Sequence, residues 1–386
     1  MKILQVCFRV PYPPHDGGAI AMYNMAKGFY EHGCDLTILS FNTVKHYIEE
    51  EHLPEDFKKF GELVTHPLDA TVRPVEAFLN LFTKKSYNIS RFDNKGFHQK
   101  LKNLLLENEY DIIHFEGLFT SMYVDTAREF APKSKLVLRQ HNVEHLIWER
   151  LMHESKFGKK QYLKVLVKRL KKYELLALKK FDAIVPITEV DAQFFKKCGT
   201  KKMFVSPTGV NIESFKSNSS QIESNSIFHL GALNWMPNQK AIKWFIEEIW
   251  GNVQKEIPEA KFYIAGRDIP DWIFDYNNQG KNINVIGEVP SAVDFMNSKS
   301  IMVVPLKSGS GMRIKIVEGM ALGKPIVSTS IGAEGIEYTH EKNILIADSK
   351  QDFVKELVTL LKHQQKQEEI GKQAIQLVQE KYSNYS

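Results

Sequence analysis

Apolar residues in this chain come in short runs separated by longer amphipathic stretches. KILQVCF (2–8) shows little polar alternation and reads as a strand buried on both faces. GGAIAMYNMAKGFYEHG (17–33) sets Ala21, Met25 and Phe29 four apart, the spacing of one helix face, with Gly33 as its stop. DLTILSF (35–41), DIIHFEG (111–117), KLVLRQHN (135–142) and FDAIVPIT (181–188) read as further strands, and a long basic helix fills about 159–180. Strands joined through helices form right-handed βαβ units and therefore a parallel sheet.

The pattern then breaks. SPTGVNIESFKSNSSQIESNS (206–226) is rich in Ser, Asn and Gly and reads as a linker. Beyond it the alternation restarts. Strands are expected at 227–233, 261–267, 283–289, 300–306, 325–329 and 343–349, and helices at 238–250, 312–322, 350–362 and 365–381. The reading is an α/β protein of two Rossmann-like parallel-sheet domains, 1–205 and 206–364, with the last helix (about 365–386) expected to pack back on the first. Ligands of open parallel sheets sit at the carboxyl ends of the strands. Two such domains facing across a cleft suit the joining of two substrates.

Composition narrows the class. A chain of 386 residues is long enough for two domains, and its 43% hydrophobic and 25% charged residues are ordinary for a globular protein. The net charge of +5 suits an anionic partner without requiring one. Three cysteines without paired spacing argue against a disulfide framework and a zinc site, and for a reducing compartment. No apolar run is long enough to span a bilayer, and the N-terminal run, broken by Arg9, does not read as a signal peptide. A cytoplasmic protein is expected, with peripheral membrane contact open. No G-x-G-x-x-G follows the first strand, which disfavours a nicotinamide dehydrogenase.

The densest chemistry lies in SGSGMRIKIVEGMALGKPIVS (308–328). It follows the strand 300–306, at the end where ligands bind. Gly309 and Gly311 let backbone approach a ligand closely. The helix starting near Met312 aims N–H groups and its positive dipole end at the same place. Arg313 adds a bidentate fork and Lys315 a point charge. The ensemble reads as an anion site, most naturally for a diphosphate, with Glu318 one and a half turns in and in reach of ribose hydroxyls. Ile316, Val317, Met320 and Ala321 form the buried face. The plainer alternative makes Lys315 and Glu318 an i,i+3 surface pair worth a few tenths of a kcal/mol.

These residues resemble the donor motif of the family-four retaining glycosyltransferases of GT-B fold. The resemblance extends in order through PYPPHDGGAIAMYNMAKGFYEHG (11–33), RQHNVEHLIWERL (139–151), FDAIVPITEVD (181–191), SPTGVN (206–211), GALNWMPNQKAIKWF (231–245) and IGEVPSAVDFM (286–296), and is weak over 45–110. It implies a nucleotide-diphosphate sugar, most naturally of UDP, bound by the C-terminal domain. The acceptor, a glycan or lipid-linked, binds the N-terminal domain. The sugar moves with retention, needing no cofactor or metal, in a setting such as surface polysaccharide assembly. Without a metal, protein cations and helix N-termini must stabilise the leaving diphosphate. The backbone of Gly311 and Met312, with Arg313 and Lys315, fills that role, and Gly18 is expected to face the phosphates from the other domain. Glu318 matches the second Glu of the family's Glu-x7-Glu motif. Ser310 stands where the first Glu is usual, which leaves the sugar open. The family's usual Arg and Lys after the first strand of the second domain are absent, and Asn238 and Lys240 are the stand-ins.

By the same resemblance His141 contacts the donor sugar near the reacting carbon; alternatively it caps a buried strand. His114 and Glu116 either line the acceptor pocket or hydrogen-bond loop backbone. The basic segment 158–181 either lies on an anionic membrane or packs its stripe of Leu163, Leu166, Val167, Leu170, Tyr173, Leu176 and Ala177 into the core. A nucleotide-sugar epimerase of the same fold and a non-catalytic sugar- or nucleotide-binding protein are the competing functions. Nucleic acid is not expected as a partner, because stacking aromatics are sparse in the basic helix.

Overall fold

The computed structural model describes residues 1–153, 155–200, 202–217, 222–278, 280–309 and 311–383. The chain divides into two compact units, Met1–Thr208 and Gly209–Ser386.

The first unit carries a six-stranded parallel sheet in the order β3-β2-β1-β4-β5-β6. The strands are β1 (Lys2–Cys7), β2 (Asp35–Thr43), β3 (Glu62–Leu68), β4 (Ile112–Glu116), β5 (Lys135–Gln140) and β6 (Ala183–Pro186). The second unit repeats the order with β7 (Glu223–Leu230), β8 (Lys261–Ala265), β9 (Ile283–Gly287), β10 (Lys299–Val304), β11 (Ile326–Ser328) and β12 (Leu345–Ile346), arranged β12-β11-β10-β7-β8-β9. The direction of winding reverses between β1 and β4 in one sheet and between β7 and β10 in the other. Those reversals open a crevice at the carboxyl ends of the strands.

Both sheets are buried on both faces. In the first unit one face packs Leu4, Val6, Phe41, Phe115 and Leu138 against the helix Lys95–Glu107. The other packs Ile3, Cys7 and Ile38 against the helix Gly17–Glu31. That helix buries Ala19, Ala21, Met22 and Ala26, while Met25 and Phe29 of the expected face are only half-buried. In the second unit Ile227, Ile264, Ile301 and Val303 pack against Phe245, Ile249, Trp250 and Phe353.

One expectation needs revision. The helix read at 238–250 runs as Met236–Trp244, loosens into a π-helical turn over Phe245–Trp250 and continues to Glu256. The final helix, Gln364–Lys381, packs on the helix Ile314–Ala321 within the second unit. Gly323 and Gly371 permit this: a Cβ on Gly371 would lie 2.2 Å from the Gly323 carbonyl oxygen.

Candidate functional site

Each sheet places polar chemistry at its point of reversal. In the first unit, side-chain alternation puts Gln5 of β1, His114 and Glu116 of β4, and Arg139 of β5 on one face, beneath the helix Gly17–Glu31. His141 follows just beyond β5. Glu116 is the hub. Its Oε1 accepts from Gln5 Nε2 at 2.8 Å, and its Oε2 lies 2.7 Å from His141 Nε2 and 3.6 Å from Arg139 Nη1. His114 Nδ1 stands 3.5 Å from Oε1. Gln5 and Arg139 also donate to the carbonyls of Met22 and Ala21, tying the layer to the helix above.

The electrostatics follow from burial and charge. Burial alone would lift the Glu116 carboxyl, but the Arg139 charge, the His141 hydrogen bond and His114 outweigh it and hold it at about 2. Burial pushes His114 down to about 4 against the pull of Glu116. An ionised carboxylate at His141 Nε2 makes that nitrogen the donor and leaves Nδ1 as the ring nitrogen turned away from Glu116. Glu116 has no exposed surface and His114 has almost none. Neither is placed to line an acceptor pocket. Glu116 holds His141, whose ring also meets the Phe8 ring edge-on at 5.9 Å.

The turn carrying His141 is anchored again by Glu174, which the basic helix Phe157–Ala177 points inward. Its carboxylate accepts from Glu144 N at 3.0 Å, His145 N at 3.1 Å and His145 Nδ1 at 2.6 Å, capping the helix Glu144–His153. Leu163, Leu166, Val167, Leu170 and Ala177 of the basic helix are buried. Most of the apolar stripe of 158–181 is thus core, while Leu176 at its end stays exposed.

Gly18 sits at the head of the helix Gly17–Glu31, as expected. Its N–H, however, donates to Asp16 Oδ1 at 3.1 Å, and that of Ala19 donates to the same oxygen at 3.2 Å. Arg9 pairs with Asp16.

In the second unit the loop that follows β10 carries Gly309 and Gly311. Gly309 and Gly311 have φ of 121° and 84°, values that glycine takes without strain. A Cβ on Gly309 would lie 2.7 Å from Arg313 Nη2 and 2.8 Å from the Trp235 ring. Arg313 stacks over Trp235 with its guanidinium carbon 5.2 Å from the ring centroid, and donates to the Gly311 carbonyl. Met312 is buried, and Arg313 is the N-cap of the helix Ile314–Ala321, where it supplies no side-chain oxygen to the first turn. Lys315 Nζ lies 2.7 Å from Glu318 Oε2, so the i,i+3 pair is made; because Glu318 is buried, it is not an ordinary surface pair. Ser310 lies outside the described residues.

The stand-in residues divide. Asn238 Nδ2 donates to the Ala232 carbonyl at 2.8 Å and so closes the loop after β7. Lys240 is exposed two residues further along the same helix. The sequence reading missed Trp235, Arg139 and Glu174. Arg139 carried a signal, a charged residue inside an apolar strand in register with Glu116 of the neighbouring strand. Glu174 is the lone acid of a basic helix.

Comparisons with known proteins agree with this geometry. Residues 15–214 match the family described as Glycosyltransferase Family 4, and residues 224–363 match Glycosyl transferases group 1. An uncharacterized 44.6 kDa protein in the cps region of Klebsiella pneumoniae is 22% identical, over 99% of this chain and 97% of its own. Among solved structures, HepE of Anabaena in complex with UDP-glucose is similar at a TM-score of 0.64 and 15% identity, covering 100% of this chain and 96% of its own. Sucrose-phosphate synthase of Thermosynechococcus elongatus has a TM-score of 0.71 at 13% identity, covering 99% and 95%. A TarM mutant of S. aureus, in complex with fondaparinux, alpha-GlcNAc-glycerol and UDP, has a TM-score of 0.68 at 13% identity, covering 100% and 97%. With its two parallel sheets of GT-B type and family matches running through both units, the chain belongs to the family-four glycosyltransferases of group 1 type.

Proposed function

We propose that the chain is a retaining glycosyltransferase that moves a hexosyl group from a UDP-sugar to a glycan or lipid-linked acceptor, in bacterial surface polysaccharide synthesis on the cytoplasmic side of the membrane. The second unit holds the donor and the first holds the acceptor. The observation that carries this reading is the loop at the end of β10. There two left-handed glycines, Arg313 on Trp235 and a helix N-terminus that no side chain caps among the described residues converge at a point of sheet reversal. Arg313, Lys315 and the first N–H groups of the helix stabilise the leaving diphosphate, which makes a metal ion unnecessary. Glu318 binds the ribose hydroxyls, and Asn238 and Lys240 complete the donor side. His141, held by Glu116, presents Nδ1 to a hydroxyl of the sugar. The UDP complexes of the similar structures and the capsule-region relative support the choice of base and setting.

Thermal-shift measurements with UDP, GDP, ADP and CMP test it first. UDP is expected to raise Tm, and no shift with any nucleotide would remove the donor assignment. Product analysis follows. Free UDP plus a glycoside of retained configuration, formed also in EDTA, is the expected result, whereas an isomerised sugar nucleotide would mark an epimerase.

A further inference from the structure

A surface of the first unit remains outside this chemistry. The short helix Pro74–Asn80 buries only Ala77 and turns Val75, Phe78 and Leu79 outward, at 71, 60 and 57% exposure, and Phe82 just beyond it is 79% exposed. Single exposed apolar residues are ordinary, but four within eight positions form a patch of the kind that marks an interaction site. The Phe78 and Phe82 rings meet edge to face at 5.7 Å.

The patch is tied to the basic helix. Arg169 donates to the carbonyls of Asn80 and Leu81, at 2.9 Å each, placing a cation at the C-terminal end of the short helix. Next to it a groove of about 690 Å³ opens between the segment 84–93 and the basic helix. Val165, Lys168, Lys172 and Leu176 recur at three- and four-residue spacing along one wall, and Lys84 and Lys85 rim the other. Asp93 is the only acid among the described lining residues, and it stands 3.7 Å from Lys85. The helix Phe157–Ala177 carries seven Lys and Arg and one acid, and that acid, Glu174, is turned into the protein.

We propose that this face docks on an anionic phospholipid bilayer. Val75, Phe78, Leu79 and Phe82 enter the boundary between headgroups and acyl chains, while Lys84, Lys168 and Lys172 receive a lipid phosphate in the groove. Charge selects this occupant over a second copy of the chain, since an isologous pairing of the face would set its lysines against themselves. The inserting element is 74–82, not the core-facing stripe of the basic helix, whose solvent face supplies the charge. Docking deepens the reading of a lipid-linked acceptor, and rests on that reading for its purpose, because it brings the enzyme to the surface where such an acceptor resides.

The test is co-sedimentation of the full chain with phosphatidylcholine vesicles, with and without phosphatidylglycerol. Binding is expected only with phosphatidylglycerol. The Phe78→Ser/Phe82→Ser variant is expected to bind about tenfold more weakly or worse. The Lys168→Ala/Lys172→Ala variant is expected to lose about twenty-five-fold, at roughly fivefold per cation. Both should keep the Tm and the UDP-induced shift of the parent. No binding to anionic vesicles, or undiminished binding by both variants, overturns the proposal. So does a dimer that the Phe78→Ser/Phe82→Ser change dissociates in the absence of vesicle binding. The failures are separable. Vesicle binding lost with the UDP shift intact leaves the transferase standing, and a missing UDP shift with vesicle binding intact removes the transferase alone.

Discussion

The two helix N-termini at the points of sheet reversal look alike in sequence and differ in their caps. Both follow the carboxyl end of a central strand; the first opens on Gly17 and Gly18, and the second is reached through Gly309 and Gly311. Asp16 closes the first, accepting from Gly18 N and Ala19 N while Arg9 pairs with it. The second is preceded by Arg313, which brings a positive charge and no capping oxygen. A helix N-terminus offers an anion site only where its first N–H groups are not already satisfied. The side chain at the N-cap therefore decides which of two similar motifs can take a diphosphate, and here it favours the second unit.

Substitutions can break that comparison, and the largest effect is expected at the uncapped end. Arg313→Ala should lower transfer by about 10²–10³-fold, the cost of removing a donor aimed at developing charge, with Tm preserved. Parental kcat/KM in this variant would remove Arg313 from the site. Glu116→Gln should instead act on stability, by about 3 kcal/mol in urea unfolding, because it leaves Arg139 buried without its counter-charge. Its pH dependence carries a sign. His114 is depressed to about 4 from 6.5, so the stability it contributes is full above 6.5 and is lost as pH falls towards 4. Glu116 is depressed to about 2 from 4.5, so its contribution is lost between 4.5 and 2. The His229 ring of the second unit is likewise pushed down to about 4 by burial. Acid titration of the parent should therefore show a second loss below about 4.5 that is smaller in Glu116→Gln, the remainder coming from carboxylates such as Glu223, also held at about 2. A second step of undiminished size in the variant would place the proton elsewhere.

Glu318→Gln is expected to weaken UDP by roughly tenfold to a hundredfold, the worth of charge-assisted bonds to two hydroxyls. Calorimetry showing unchanged affinity would return Lys315 and Glu318 to a structural pair. Asp16→Ala removes a cap and should cost about 1 kcal/mol of stability. Asp16→Asn is expected to do least. It keeps a capping oxygen, removes the charge and should leave UDP affinity within about twofold. A rise well beyond that would mean that the first helix also receives phosphate and that Gly18 contributes as the sequence reading had it.

Legibility in the sequence followed the range of the interaction. Buried strands such as KILQVCF and SIMVVPL announce themselves because the signal for burial on both faces is local. The edge strand β3 (ELVTHPL) did not, since His66 and Pro67 interrupt its pattern, and only an edge position tolerates the proline. The helix 312–322 and its buried face were legible from period alone, and the structure buries Ile316, Val317, Met320 and Ala321 as read. Trp235 beneath Arg313 was not, because seventy-odd residues of chain separate a ring from the cation it holds.

By itself the sequence determined two runs of alternating strands and helices, the glycine-rich loop after β10, and a family resemblance strong enough to name the reaction class. Tertiary structure decided the rest. It placed Glu116 and Arg139 side by side on neighbouring strands, turned Glu174 inward to cap a helix thirty residues away, and left 74–82 facing outward beside a row of lysines. Hydrophobic period is a property of a few consecutive residues, whereas an ion pair or a cap belongs to groups that meet only once the sheet is wound.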